Sequence, residues 1–157
     1  MRVGYLILPQ SLGAAVTDLA VSTYISPNVL AQATVWEFVR RGLFEPNLER
    51  VQGLLRARRD AMLDALEREF PDEASWNRPE GGYFVWLELP AGTSAADLLT
   101  RAEEAGITFV KGSDFYAGGR GGESAARLAF SFVSPEEISE GISRLAKLLP
   151  TPAPASV

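Results

Sequence analysis

Ala126-Arg127-Leu128-Ala129-Phe130-Ser131-Phe132-Val133, followed at once by Ser134-Pro135-Glu136-Glu137, is the stretch on which the fold turns. Apolar side chains alternate in its first part, the period of a strand with one buried face. Leu128, Phe130 and Phe132 point one way, and Arg127, Ala129 and Ser131 the other. The second part is a helix start: Ser134 as cap, Pro135 at the first helical position, Glu137 at the third. Ile138, Ile142, Leu145 and Leu149 then recur at spacings of 4, 3 and 4, which sets them on one helical face. A strand handing over to an amphipathic helix is the unit of a mixed α/β fold.

The same alternation of elements extends upstream. Residues 83–89 read as a strand introduced by Gly81-Gly82 and ended by Pro90. Residues 94–105 read as a helix, with Ser94 and Asp97 at its start and Gly106 past its end. Residues 107–110 read as a strand, and 117–124 as a Gly-rich loop. Together they predict a small αβ domain over 72–150, with about three strands and two helices.

Residues 46–71 are a long connecting helix in this reading. Leu48, Val51, Leu55, Met62 and Leu66 share a stripe, widened by Leu54, Ala61 and Ala65, and Pro71 stops it. At ~1.5 Å per residue such a helix spans roughly 36 Å. Before it, residues 11–22 read as a short helix. Ser26-Pro27 opens a second one, which Gly42 closes. Leu30, Ala33, Trp36 and Phe38 make that second helix apolar enough to be buried. Residues 3–8 read as a buried strand ended by Pro9. An apolar strand at the start of a chain needs neighbours, which is a first hint of a fragment. Residues 151–157 are a Pro-rich, disordered tail.

Composition narrows the chemistry. The 157 residues contain no Cys and no His, which removes thiolate nucleophiles, His general bases and the usual zinc ligands. No metal site is expected. Net charge is −5, and the acidic excess falls after residue 70. No basic footprint for nucleic acid or an anionic membrane is present. Residues 3–8 are too short for a signal peptide or a spanning helix, so a cytoplasmic protein is the expectation. Thirteen arginines stand against two lysines, Lys111 and Lys147.

Arg127 is the residue with the clearest chemical promise. Small neighbours on its own sheet face leave room around its planar fork, which binds carboxylate through two parallel hydrogen bonds. A snorkelling edge-strand arginine or a structural ion pair is the competing reading. Arg2 taken alone is a surface charge. Gly118 to Gly122 lack the Lys-Ser/Thr and the helix of a phosphate cradle. Arg56, Arg58 and Arg59 are followed by Asp60, Asp64, Glu67 and Glu69, which reads as a solvated helix face. Lys111, beside Gly112 at a loop edge, reads as an ordinary ammonium. Trp36, Trp76 and Trp86 read as core or interface residues.

Several runs, taken in order, resemble one family. Arg2-Val3-Gly4-Tyr5 resembles the end of the aminotransferase signature, and Arg58-Arg59-Asp60 its long interdomain helix. Pro79-Glu80-Gly81-Gly82-Tyr83-Phe84-Val85-Trp86 resembles its Pro-x-Gly-Gly-x-Phe-x-Trp turn and strand. Phe109-Val110-Lys111-Gly112-Ser113-Asp114-Phe115 is similar to its Val-x-Pro-Gly-x-x-Phe, and Arg127-Leu128-Ala129-Phe130-Ser131 to its Arg-Leu-x-Phe/Tyr-Ser. The family is the class I/II aminotransferases, fold type I enzymes dependent on pyridoxal 5′-phosphate (PLP). The 2-aminoadipate/aromatic branch and the aminotransferase-like half of MocR-type regulators are the nearest in flavour.

The resemblance implies a C-terminal portion: residues 1–45 as the tail of the large PLP-binding domain, the linking helix, and the small domain. The intact protein would move an amino group between an amino acid and a 2-oxo acid, as a homodimer. Arg2 would bind the cofactor phosphate and Arg127 the substrate carboxylate. Gly82 and Tyr83 would line the substrate side. Ser26 and Asn28 would reach toward the partner subunit's site, with helix capping as their competing role. The family's Schiff-base lysine lies just before the position of Arg2, and its usual Pro is Lys111 here. No catalytic residue is therefore expected in this chain, and alone it should be inactive. The alternatives are the tail of a GntR/MocR-type regulator, or a non-catalytic binding or dimerisation module.

Overall fold

A computed structural model describes residues 2–118 and 120–150; the tail expectation for 151–157 lies outside them. Four short strands make one antiparallel sheet: β1 (Ser75–Trp76), β2 (Phe84–Glu88), β3 (Val110–Lys111) and β4 (Ala125–Ala129), in the order β1-β2-β4-β3. The two-residue β1 is one strand more than the sequence revealed. β2 and β4 form the centre, with Val85 opposite Leu128 and Trp86 opposite Arg127. Because side chains alternate, this register puts Val85, Leu87, Ala126 and Leu128 on one face, where all four are buried.

Helices cover that face. α3 (Phe44–Glu69) buries Met62, Leu63, Ala65 and Leu66. α4 (Ala95–Glu104) adds Leu98 and Ala102. α5 (Pro135–Lys147) adds Ile138, Ile142 and Leu145. All join one apolar cluster with the sheet residues. Both helix starts work as expected. Ser94 accepts from the Asp97 N–H, and Ser134 and Glu137 form a reciprocal capping box. Among the described residues the opposite sheet face, with Phe84, Trp86, Glu88 and Arg127, has no α-helix layer and stays partly open.

Several expectations are corrected. The strand expected over 126–133 ends at Ala129, and one further bond, from the Phe130 N–H to the Tyr83 carbonyl, closes the ladder. Phe132 therefore leaves the alternation and is 89% exposed. The strand expected over 107–110 pairs only at Val110 and Lys111. On α3 the stripe is buried in its second half alone; Leu48 and Leu54 are exposed.

The residues group into two units, Met1–Val51 and Gln52–Val157, divided inside α3. The first contains α1 (Gln10–Tyr24), α2 (Val29–Arg40) and the first turns of α3. Residues 3–8 are not a strand, and their side chains are exposed. A strand needs a neighbour for its backbone groups, and none pairs with them among the described residues. α2 begins at Val29, with Asn28 rather than Ser26 as its cap, and buries no residue. Its Leu30 and Trp36 are largely exposed, because a helical period alone supplies no surface to pack against. Gly42, at φ +67°, follows its end as expected. Among the described residues no helix is long and apolar enough to cross a membrane.

Candidate carboxylate-binding face

Arg127 sits in the middle of β4, between Trp86 on one side and Val110 on the other. Its guanidinium carbon lies 3.9 Å from the centre of the Phe84 ring and 4.6 Å from that of Phe115. Two rings at this distance attract the cation through their negative faces. Trp86 meets Phe115 edge-on at 5.6 Å, and Tyr83 meets Phe84 edge-on at 6.3 Å. The guanidinium is thus framed by aromatic carbon.

No acid neutralises it among the described residues. The nearby carboxylates are engaged elsewhere: Glu88 accepts the Trp86 indole N–H at 2.8 Å, and Asp114 pairs with Lys111 at 3.5 Å. The Nε of Arg127 is buried and has no hydrogen-bond partner. A buried charged donor left unpaired is costly. Such a donor on an open sheet face is suited to an incoming acceptor, and a carboxylate matches the guanidinium fork. Among the described residues the internal ion pair that competed with this reading does not form.

Phe115 is placed by backbone close-packing. It ends a 3-10 turn, Gly112–Phe115, that follows β3. A Cβ on Gly112 would stand 2.5 Å from the Ala125 Cβ and 2.7 Å from the Gly122 carbonyl oxygen. A Cβ on Gly122, at φ +71°, would likewise stand 2.6 Å from the Gly112 carbonyl carbon, and the Tyr116 ring packs on Gly121 and Gly122. The Gly-rich loop expected over 117–124 is therefore packed at Gly121 and Gly122. The Glu123 carboxylate accepts the Gly121 N–H at 2.9 Å, and backbone N–H donors hold it below the usual carboxylate range.

The other expected site residues are distributed as follows. Tyr83 is exposed and belongs to the aromatic frame. Gly82, at φ +83°, makes the turn into β2 and borders a cavity of about 350 Å³ with Gln52, Arg56 and Arg59. Arg2 and Asn28 belong to the other unit. Arg2 is exposed. Asn28 uses its side chain to accept the Ala31 N–H at 3.0 Å, the capping role.

Sequence reasoning missed four residues. Phe84 and Phe115 stood inside the family-like motifs, but only the pairing of β4 with β2 on one side and β3 on the other brings them to Arg127. Arg58 and Arg59 are not on a solvated face: Arg58 donates to the Ser131 carbonyl at 2.8 Å, and Arg59 to the Pro79 carbonyl at 3.2 Å. Acidic residues at helical spacing pointed to intrahelical pairs, and Arg59 does pair with Asp60. Carbonyls 20 and 73 residues away were not visible in that spacing.

Known proteins resemble this chain in sequence and fold. The model of the family described as Aspartate amino-transferase matches residues 10–150. The 2-aminoadipate transaminase of Thermus thermophilus is 46% identical over 121 residues, 77% of this chain and 30% of that protein. An uncharacterized HTH-type transcriptional regulator of Bacillus subtilis, YdfD, is 30% identical over 149 residues, 95% of this chain and 30% of that protein. The crystal structure of LysN, the α-aminoadipate aminotransferase of T. thermophilus complexed with N-(5′-phosphopyridoxyl)-L-leucine, superposes with a TM-score of 0.81. It is 40% identical, and the match covers 90% of this chain and 36% of that one. The chain spans about a third of the length of the curated relatives it matches.

Proposed function

The chain belongs to the aspartate amino-transferase family, and on that premise we propose that it supplies the substrate-carboxylate side of a PLP-dependent aminotransferase acting on an amino acid and a 2-oxo acid. The observation that carries this reading is the buried, unpartnered Nε of Arg127, held against Phe84 and Phe115 with no acid among the described residues to neutralise it.

Two of the chain's cations suit the anions such a protein holds, each taken within its own unit. Arg127 takes the carboxylate, and Arg2, exposed and basic, is the residue that would meet the cofactor phosphate. They do not include the anchoring lysine of the resembling motif. Lys111 is tied to Asp114 at the sheet edge, and Lys147 ends α5. When bound, PLP supplies the electron sink for amino-group transfer.

Arg127 itself orients. Its contacts with two rings limit rotation of the guanidinium, so its donors present a defined edge to the carboxylate. The rings exclude water from one side, which strengthens each charge-assisted bond. Tyr83 extends the apolar rim along which a side chain can lie. Gly82 gives the turn its positive φ and so sets where β2 begins.

In the intact protein two copies pair, consistent with the exposed apolar surface of α2, and the protein works in the cytoplasm. By itself the chain binds carboxylate but transfers no amino group. A second reading, a sensor half of a transcription regulator, is favoured by the regulator whose likeness covers 95% of the chain. Both use the same Arg127 face.

The test is an NMR titration of the ¹⁵N-labelled chain with phenylpyruvate, following the Arg127 Nε–H signal. A saturable shift that disappears in Arg127→Met supports the reading; a signal unmoved by saturating phenylpyruvate refutes it. Adding PLP and 2-aminoadipate, and assaying for the 2-oxo acid, should show no transfer by the chain alone.

A further inference from the structure

We propose that Arg58 and Arg59 are positioning residues for Arg127: neighbouring guanidiniums on α3 that grip the two central strands at the end toward which the Arg127 side chain leans. The inference rests on the reading of Arg127 as the carboxylate ligand.

The geometry begins with the ladder. β2 and β4 run antiparallel, so the start of β2 lies beside the end of β4. Regular pairing stops at Phe84 opposite Ala129, and the Phe130 N–H to Tyr83 carbonyl bond closes it at 3.0 Å. Past that bond both chains leave the sheet. Their carbonyls there have no strand partner, and strands fray first where the ladder ends.

Arg58 and Arg59 take hold at this point. Arg58 donates to the Ser131 carbonyl, one residue beyond Phe130. Arg59 donates to the Pro79 carbonyl, in the turn that leads through Gly81-Gly82 to Tyr83. One helical segment thus holds both chains, one on each side of the closing bond. Both side chains are part-buried, and a charged donor to a main-chain carbonyl is stronger than a neutral one. Asp60 accepts from the Arg59 fork at 2.6 and 2.8 Å, which fixes its direction.

The link to the site is the lean of Arg127. Its backbone faces Trp86, yet its guanidinium lies over Phe84, two residues nearer the gripped end. Phe84 is the nearer of the two rings that hold the guanidinium, so a shift of Phe84 moves it. Phe84 follows Gly82 by two residues and pairs with Ala129, so both straps act on the segments that place it. Without them the ends of β2 and β4 would drift while the core below, packed through Val85, Leu128 and α5, remained.

Hydrogen exchange on the full 157-residue chain tests this. The reporters are the Arg127 Nε–H, the Phe130 amide, and the Ile142 and Leu145 amides of α5 as internal reference. Arg58→Leu and Arg59→Leu should each speed exchange at Arg127 Nε–H and Phe130 by about tenfold or more, with the α5 amides at wild-type rates. Arg58→Lys should stay near wild type, since an ammonium can still reach the Ser131 carbonyl. Unchanged Arg127 and Phe130 rates overturn the proposal. So does acceleration shared equally by α5, which marks a merely structural role. Should one Leu variant fail to fold, the other and Arg58→Lys decide by the same criteria. The phenylpyruvate titration separates the two readings: exchange following the straps with no shift on phenylpyruvate refutes the carboxylate role and leaves the straps, and the converse refutes the straps alone.

Discussion

The guanidinium of Arg127 and the ring of Phe84 are in contact across two strands, 3.9 Å from carbon to ring centre, although the register pairs Arg127 with Trp86 and Phe84 with Ala129. The contact is diagonal, and it leaves the buried Nε without an acceptor. Stability and binding therefore pull in opposite directions at this residue.

Arg127→Met separates the two. The substitution keeps an unbranched stem against the rings and removes an unsatisfied buried donor. Urea unfolding should show a chain as stable as the parent or more stable by about 1 kcal/mol. Carboxylate binding should be lost. Arg127→Lys keeps the charge without the fork, and phenylpyruvate affinity should fall by roughly tenfold or more.

Phe115→Leu removes one of the two rings facing the cation and the edge contact with Trp86. The cation–π contribution at stake is about 0.5–2 kcal/mol. Isothermal titration with phenylpyruvate should therefore show a roughly two- to thirtyfold weaker complex. Unchanged affinity would show that the ring does not orient the guanidinium.

Gly112→Ala tests the packing that places Phe115. The added methyl meets Ala125 Cβ and two carbonyl oxygens at 2.5 to 3.0 Å, and the backbone of β4 cannot yield freely. The urea midpoint should drop by the equivalent of about 1–3 kcal/mol. Gly141→Ala, with nothing within 4 Å of its Cβ position and a helical setting, should be neutral or slightly stabilising.

Glu123 supplies a pH dependence of known sign. The Gly121 N–H, then its own backbone N–H, holds its carboxylate below the usual range. A depressed folded value means the stabilisation is complete above the unfolded value of about 4.3 and is lost as pH falls through the folded one. A ¹³C titration of the Glu123 carboxyl should give a midpoint below that figure, with the Gly121 amide shift tracking it. A midpoint at or above it would show the bond absent in solution.

The helices and strands after residue 70 were legible because their signals are local. Ser134-Pro135-Glu136-Glu137 carries its own cap, and Ile138, Ile142 and Leu145 carry their own period. Arg127 stood out for the same reason, as a charge on an otherwise small-residue face. What escaped is what depends on distant partners. Phe132 has the period of a buried residue but lies past the last paired position of β4. Residues 3–8 have the composition of a strand and no described neighbour to pair with. Arg58 and Arg59 look solvated until the carbonyls of Ser131 and Pro79 come within reach. The aromatic frame of Arg127 needed the β2–β4 register, which no single segment encodes.

The first unit has a practical consequence at the bench. Residues 1–51 hold four basic and four acidic side chains, so this unit adds no net charge of its own to the repulsion between copies, while Ile7, Ile25, Leu30 and Trp36 face the solvent. Sulfate, which strengthens hydrocarbon association by being excluded from protein surfaces, should cloud concentrated solutions of this chain. Light scattering should rise with protein concentration sooner than for a sample in dilute urea.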